Sequence, residues 1–174
     1  GSSPGMGSGC SGSTRVEKGP ASMGSLLMET ALGNIRLQLR RDAAPITVDY
    51  IVSCVQKRLY DNKSFYRSDF VIQCGLHGSG VQPPGSITKN ETRDNVFISN
   101  TRGTCAIAHW DVPDNGNTEF FINLKTNEHL DSVYGGYCVF AEVSGDDSFK
   151  VVDAIASHIA SGKGNVTIKS VTVE

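Results

Sequence analysis

The chain of 174 residues has no Cys-x-x-Cys pair, no excess of charge of either sign, few aromatic residues and no long apolar run. Each absence excludes something. The five cysteines, at 10, 54, 74, 105 and 138, are odd in number and widely spaced, which supports neither a disulfide framework nor a zinc site. Cys54 and Cys138 sit inside apolar runs and read as small buried hydrophobes in a reducing compartment. The four histidines (77, 109, 129 and 158) fall at no metal-ligand spacing, so neither metal nor cofactor is expected. With 16 Lys plus Arg against 18 Asp plus Glu, the net charge of −2 lacks the basic footprint of a nucleic-acid binder. No run approaches the ~20 apolar residues of a membrane-spanning helix, and a soluble domain is expected. Gly-x-Ser-x-Gly, a phosphate-cradling Gly loop with Lys-Ser/Thr and His-Glu-x-x-His are all missing. An enzyme built from this chain needs neither nucleophile nor metal.

Residues 1–25 carry seven Gly and seven Ser without hydrophobic period, which reads as a flexible tail preceding one domain over 26–174. Gly1-Ser2-Ser3-Pro4-Gly5 resembles a vector scar. A start at Met6 would place Gly7 for myristoylation and Cys10 for palmitoylation, the two signals that stable anchoring requires. Met23 is an alternative start. The expected location is cytoplasmic, with membrane association through this tail as the lesser alternative, and the expected state is a monomer.

What is present is a series of short alternating runs. Residues 26–30 and 34–39 predict a hairpin, in which Ile35, Leu37 and Leu39 alternate with Arg36 and Gln38. A helix follows, with Pro45 in its first turn, Asp49 near its positive end and a stripe of Val48, Ile51, Val52, Val55 and Leu59. Further strands are expected at 64–67, 70–74, 104–109, 119–124 and 137–143. A second helix carries Asp147 or Ser148 as cap and a stripe of Phe149, Val152, Ile155 and Ile159. Val166, Ile168, Val171 and Val173 form a last strand, able to close a sheet against the first. Many short strands and two helices, never alternating β-α-β, predict an all-β antiparallel barrel or sandwich with the helices capping its mouths. The stretch 75–103 has little periodicity and reads as a surface loop. The doublets Arg40-Arg41 and Lys57-Arg58 read as solvated faces.

One constellation stands out. Phe65-Tyr66-Arg67 is followed by Phe70-Val71-Ile72-Gln73, Asn100-Thr101-Arg102-Gly103-Thr104, Glu119-Phe120-Phe121-Ile122-Asn123, Leu130-Asp131 and Gly136-Tyr137-Cys138-Val139-Phe140. Their order, types and separations over 26–174 resemble the cyclophilins, a family of peptidyl-prolyl cis-trans isomerases. The resemblance implies a closed eight-stranded antiparallel β-barrel capped by two helices. It also implies an isomerase that turns X–Pro bonds in proline-containing peptides or unfolded proteins and so assists folding. Arg67 would be its essential arginine, with Phe70 and Gln73 beside it. Val71, Phe121 and Leu130 would line the proline pocket, and Ala108, His109, His129 and Tyr137 would contact the rest of the peptide.

Several positions depart from the family's usual pattern. Only Ser68-Asp69 separate Arg67 from Phe70, where four residues are usual, although a deletion of two leaves each on the face it would otherwise have. Cys74-Gly75-Leu76 replaces Gly-Gly-Asp, and Glu119 stands where glutamine is common. His129 takes the place of a tryptophan, which weighs against tight cyclosporin binding. The shortened turn motivates an alternative, an adaptor module that binds proline peptides with little turnover. A barrel enclosing a small apolar ligand is disfavoured, because the inward strand positions are filled by Val, Ile, Leu and Phe.

Overall fold

In the computed structural model, which describes residues 23–174, the chain alternates along its strands much as the hydrophobic pattern dictates. Strands β1 (Ser25–Thr30) and β2 (Gly33–Leu39) form the hairpin, followed by helix α1 (Pro45–Gln56), β3 (Lys63–Ser68) and β4 (Val71–Gly75). Then come β5 (Thr104–Ile107), β6 (Phe120–Asn123), β7 (Val139–Val143), helix α2 (Asp146–Ala160) and β8 (Val166–Val173). Two short 3-10 turns, Glu128–Asp131 and Val133–Gly135, lead into β7. Gly7, Cys10 and nearly all of the tail lie outside the described residues, and Ser25 already belongs to β1.

The strands close into one antiparallel barrel in the order β1-β2-β7-β5-β6-β4-β3-β8. Closure is made by the two ends of the domain, with Leu26 opposite Val173 and Met28 opposite Val171. Period-two alternation sends Leu26, Met28, Ile35, Leu37, Leu39, Phe65, Ile72, Phe120, Ile122 and Phe140 inward, where each is almost fully buried. The barrel is thus filled by its own side chains. No helix among the described residues is long and apolar enough to cross a membrane.

Both helices differ in detail from the pattern that predicts them. Pro45 does open α1, and Val48, Ile51 and Val55 are buried beneath it. Its residue Ala44 offers no side-chain cap; the orphan N–H groups of Ile46 and Thr47 are instead bound by the carboxylate of Glu91, at 3.1 and 2.8 Å. The helix stops before Leu59, because Arg58 turns left-handed at φ 59°. Helix α2 starts after Gly145, not at Asp147 or Ser148; the Ser148 hydroxyl accepts a hydrogen bond from Arg36 N of β2 at 2.9 Å. Asp146 and Asp147 fall in its first turn, where the helix dipole favours acids.

Two expectations about the surface need correction. Arg40 is largely covered and ion-paired with Asp42 and Glu142, both at 2.7 Å, because β2 and β7 are neighbours. The stretch 75–103 also sends Ile87, Glu91, Thr92 and Asn100 inside. A buried carboxylate must be hydrogen-bonded, and Glu91 meets that demand at the end of α1.

Candidate active site

The outward-facing side of β3, β4, β5 and β6 forms the floor of a cleft of about 1130 Å³. A second apolar cluster lies there: Val71 from β4, Ala106 from β5, Phe121 from β6 and Val139 from β7, joined by Leu130 from the first 3-10 turn, with Val71, Phe121 and Leu130 lining the cleft itself. All five are buried, and Phe70, Ala108 and Tyr137 pack around them half-exposed. The result is a shallow apolar recess with the Phe121 and Tyr137 rings edge to face, 5.8 Å between centroids.

The recess is braced by amides. Asn123 is fully buried and donates to Asn100 Oδ1 and Thr104 Oγ1, both at 2.9 Å. Asn127 donates to Asn123 Oδ1 at 2.9 Å and to the Phe70 carbonyl at 3.2 Å. The Asp131 carboxylate accepts from Asn100 N and Nδ2 at 2.8 and 2.9 Å. Phe70 and Leu130 are therefore held by a satisfied polar network rather than by packing alone.

Arg67 stands at one edge. Between Phe65 and Arg67 the β3–β4 register shifts by a bulge, so Phe65 points into the barrel while Tyr66 and Arg67 both reach the outer face. The two-residue turn does not pull Arg67 from Phe70: the guanidinium carbon lies 5.3 Å from the ring centroid. That short turn supplies Asp69, which accepts from Arg67 Nε at 2.9 Å. Gln73, opposite Arg67 in β4, accepts from Nη1 at 2.8 Å. Among the described residues Nη2 makes no hydrogen bond, and the side chain is about two-fifths exposed.

Behind Gln73 lies a chain of hydrogen bonds. Gln73 Nε2 donates to the Tyr66 hydroxyl oxygen at 2.9 Å, and the hydroxyl donates to Glu119 Oε1 at 2.7 Å. Glu119 Oε2 accepts from Leu76 N at 2.7 Å, His77 N at 3.2 Å and Thr118 Oγ1 at 3.0 Å. Burial first, then the Glu119 hydrogen bond and charge, push the Tyr66 phenol well above its ordinary range. Gly75 makes room for this: it sits at φ 151°, and a Cβ there would overlap the Glu119 carboxylate.

The site residues expected from the sequence converge with one exception. Arg67, Phe70, Val71, Gln73, Ala108, His109, Phe121, Leu130 and Tyr137 all line the cleft. His129 does not; it is exposed, with its ring 5.6 Å from that of Phe70. His109 stacks on Tyr137 at 4.2 Å, both ring nitrogens meeting backbone carbonyls, Nδ1 with Trp110 at 2.6 Å and Nε2 with Gly136 at 2.7 Å. Tyr66, not among the residues expected, reaches the cleft by ordinary alternation with Phe65, and Tyr134, at φ 51° on the rim, has no signature in the sequence. Cys74 points into the barrel, fully buried, and burial raises its thiol well above the ordinary value. It is no part of the cleft.

Comparisons with known proteins agree with this fold. Residues 25–173 match the family described as cyclophilin type peptidyl-prolyl cis-trans isomerase/CLD. Peptidyl-prolyl cis-trans isomerase B of Escherichia coli strain K12 is 35% identical over 157 residues, covering 81% of this chain and 94% of that protein. A peptidyl-prolyl cis-trans isomerase of Synechococcus elongatus is 33% identical over 153 residues, covering 86% and 98%. The crystal structure of a cyclophilin type isomerase of Cryptosporidium parvum, determined in the presence of the dipeptide Ala-Pro, superposes with a TM-score of 0.66 at 18% identity, covering 86% of this chain and 98% of that one. Barrel, cleft and sequence together make this chain a member of the cyclophilin-type peptidyl-prolyl cis-trans isomerases, an isomerase acting on peptidyl-prolyl bonds.

Proposed function

We propose that Arg67 drives the isomerisation electrostatically while the recess of Val71, Phe121 and Leu130 grips the proline ring, and that the substrates are proline-containing segments of unfolded or flexible chains. Rotation about an X–Pro bond must break amide resonance, a barrier of ~18–20 kcal/mol. In the twisted transition state the prolyl nitrogen becomes pyramidal and regains a lone pair. A donor aimed at that lone pair stabilises the transition state more than the planar ground state, which is what raises turnover.

The observation that carries this reading is the state of the guanidinium. Nε and Nη1 are tied to Asp69 and Gln73, while Nη2 is uncommitted among the described residues at the edge of the apolar recess. Two tethers fix the plane of the fork, so little ordering remains when substrate arrives. The Ala-Pro dipeptide that accompanies the Cryptosporidium parvum structure is of the substrate class this recess suits. Ala108, His109 and Tyr137 on the far wall would hold the peptide flanking the proline. No covalent intermediate and no cofactor enters the scheme.

The test is NMR exchange spectroscopy on a short Ala-Pro peptide with the parent chain and Arg67→Ala at catalytic concentration. The parent accelerates cis–trans exchange, and the variant loses about a hundredfold or more in turnover, the usual scale for removing one transition-state donor. Peptide binding without accelerated exchange would leave a proline-recognising adaptor instead. Full activity in the Arg67→Ala variant would move the electrostatic role elsewhere.

A further inference from the structure

We infer that Glu119 is a positioning residue for the isomerisation, acting through Tyr66 to fix which end of the Gln73 amide faces Arg67. The inference rests on the role proposed above for Arg67 and extends it inward by two residues.

The argument is one of donors and acceptors. A guanidinium has only donors, so Gln73 can hold it only by presenting its oxygen. A glutamine amide is nearly symmetric in shape, and a half-turn about its last bond would put the NH₂ group against Arg67 instead. What prevents that turn is the group at the other end. Gln73 Nε2 needs an acceptor, and the Tyr66 oxygen serves because its own proton is committed to Glu119. Glu119 in turn cannot rotate away. Its other oxygen is held by two backbone N–H groups and the Thr118 hydroxyl, and Gly75 leaves the carboxylate the space it fills. The polarity thus runs one way, from backbone N–H through Glu119, Tyr66 and Gln73 to the guanidinium. Burial of the Tyr66 hydroxyl supports this by keeping it protonated.

The substitution Glu119→Gln turns this into a sharp expectation, because it preserves shape and reverses polarity. The backbone donors of Leu76 and His77 still demand an oxygen, so the new NH₂ group must face Tyr66. Tyr66 then accepts from residue 119 and donates to Gln73. Gln73 turns its oxygen to Tyr66 and its NH₂ to Arg67, donor against donor. Removing the tyrosine hydroxyl as well releases Gln73 to face Arg67 with oxygen again.

The experiment measures kcat and KM on an Ala-Pro peptide for the parent, Glu119→Gln, Tyr66→Phe and the double variant. Glu119→Gln lowers kcat about tenfold with KM little changed, the effect of one misdirected hydrogen bond to a charged group. Tyr66→Phe loses less, and in the double variant it restores kcat to the Tyr66→Phe level. A Glu119→Gln variant as fast as the parent overturns the inference. So does a slow one that Tyr66→Phe does not rescue, since Glu119 would then serve only to hold the 76–77 backbone. A parent without activity would instead overturn the role proposed for Arg67. A second readout needs no variant: nuclear Overhauser contacts of the Gln73 side-chain NH₂ protons should reach the Tyr66 ring and not the Arg67 guanidinium. The opposite pattern overturns the inference whatever the kinetics.

Discussion

Cysteine is the residue type whose chemistry this fold suppresses most completely. Cys54, Cys74, Cys105 and Cys138 are free and buried. Burial raises all four thiols, Cys138 to about 12, so little thiolate forms at neutral pH. A maleimide pulse on the native protein, read by peptide mass spectrometry, should label these four at least about tenfold more slowly than after unfolding. Rapid native labelling of Cys74 would show that its thiol reaches solvent and ionises despite its place inside the barrel. Glutamate shows the opposite at the same scale. Glu91 leaves the surface and Glu119 is half-buried at the cleft, and each finds backbone N–H donors to accept from. The composition records them only as charge. Which carboxylate is solvated and which is built in depends on donors more than 40 residues away in sequence.

At the level of the element, α1 depends on a cap it does not carry. Glu91 satisfies two N–H groups and the Thr47 hydroxyl at its N-terminus while itself 2% exposed. Glu91→Ala should therefore cost about 2 kcal/mol, lowering Tm by roughly 4–8 °C in a thermal melt. An unchanged Tm would mean that water replaces the carboxylate without loss. The elements of the site show how far periodicity carries. The runs around Val71, Phe121 and Val139 are apolar on both faces, so alternation alone does not mark which residues face out; Val71 and Phe121 line the cleft and Val139 packs in the same outer cluster. The bulge in β3 breaks the period, so Arg67 faces out beside Tyr66 although Phe65, two residues before it, faces in. The missing cap of α2 has a similar cause. Gly145 supplies a left-handed turn at φ 89°, and Ser148 is drawn to Arg36 of β2 instead of its own helix.

For the molecule as a whole, closure by β1 and β8 is the arrangement on which the rest depends. Val171 is buried opposite Met28, and the Glu174 and Ser25 backbones exchange hydrogen bonds at 2.8 and 3.3 Å. Deleting residues 171–174 should cost at least about 2 kcal/mol from the lost valine burial alone, with Tm falling by roughly 4 °C or more. Equal melting of the shortened and full chains would show that the ends add nothing to the barrel. Closure also gives the arginine's strand two partners: β3, which carries Arg67, pairs with β8 on one side through residues 63–65 and with β4 on the other. An edge strand would have let the bulge, and the arginine with it, drift.

The sequence by itself determined the short strands, the two amphipathic helices and the all-β antiparallel class, which follow from local alternation within a single strand, helix or hairpin. The closed barrel, the apolar recess and the place of Arg67 beside Gln73 were legible in it only through the resemblance of its motifs to the cyclophilins. Only the tertiary structure decided where the buried polar groups find partners. Glu91 meets α1, Arg40 meets Glu142, and Glu119 meets Tyr66 across 53 positions of chain. Hydrophobic burial is non-directional and tolerates being read as a pattern. A hydrogen bond needs one donor at one acceptor to within a few tenths of an ångström, and only the closed barrel brings those atoms together.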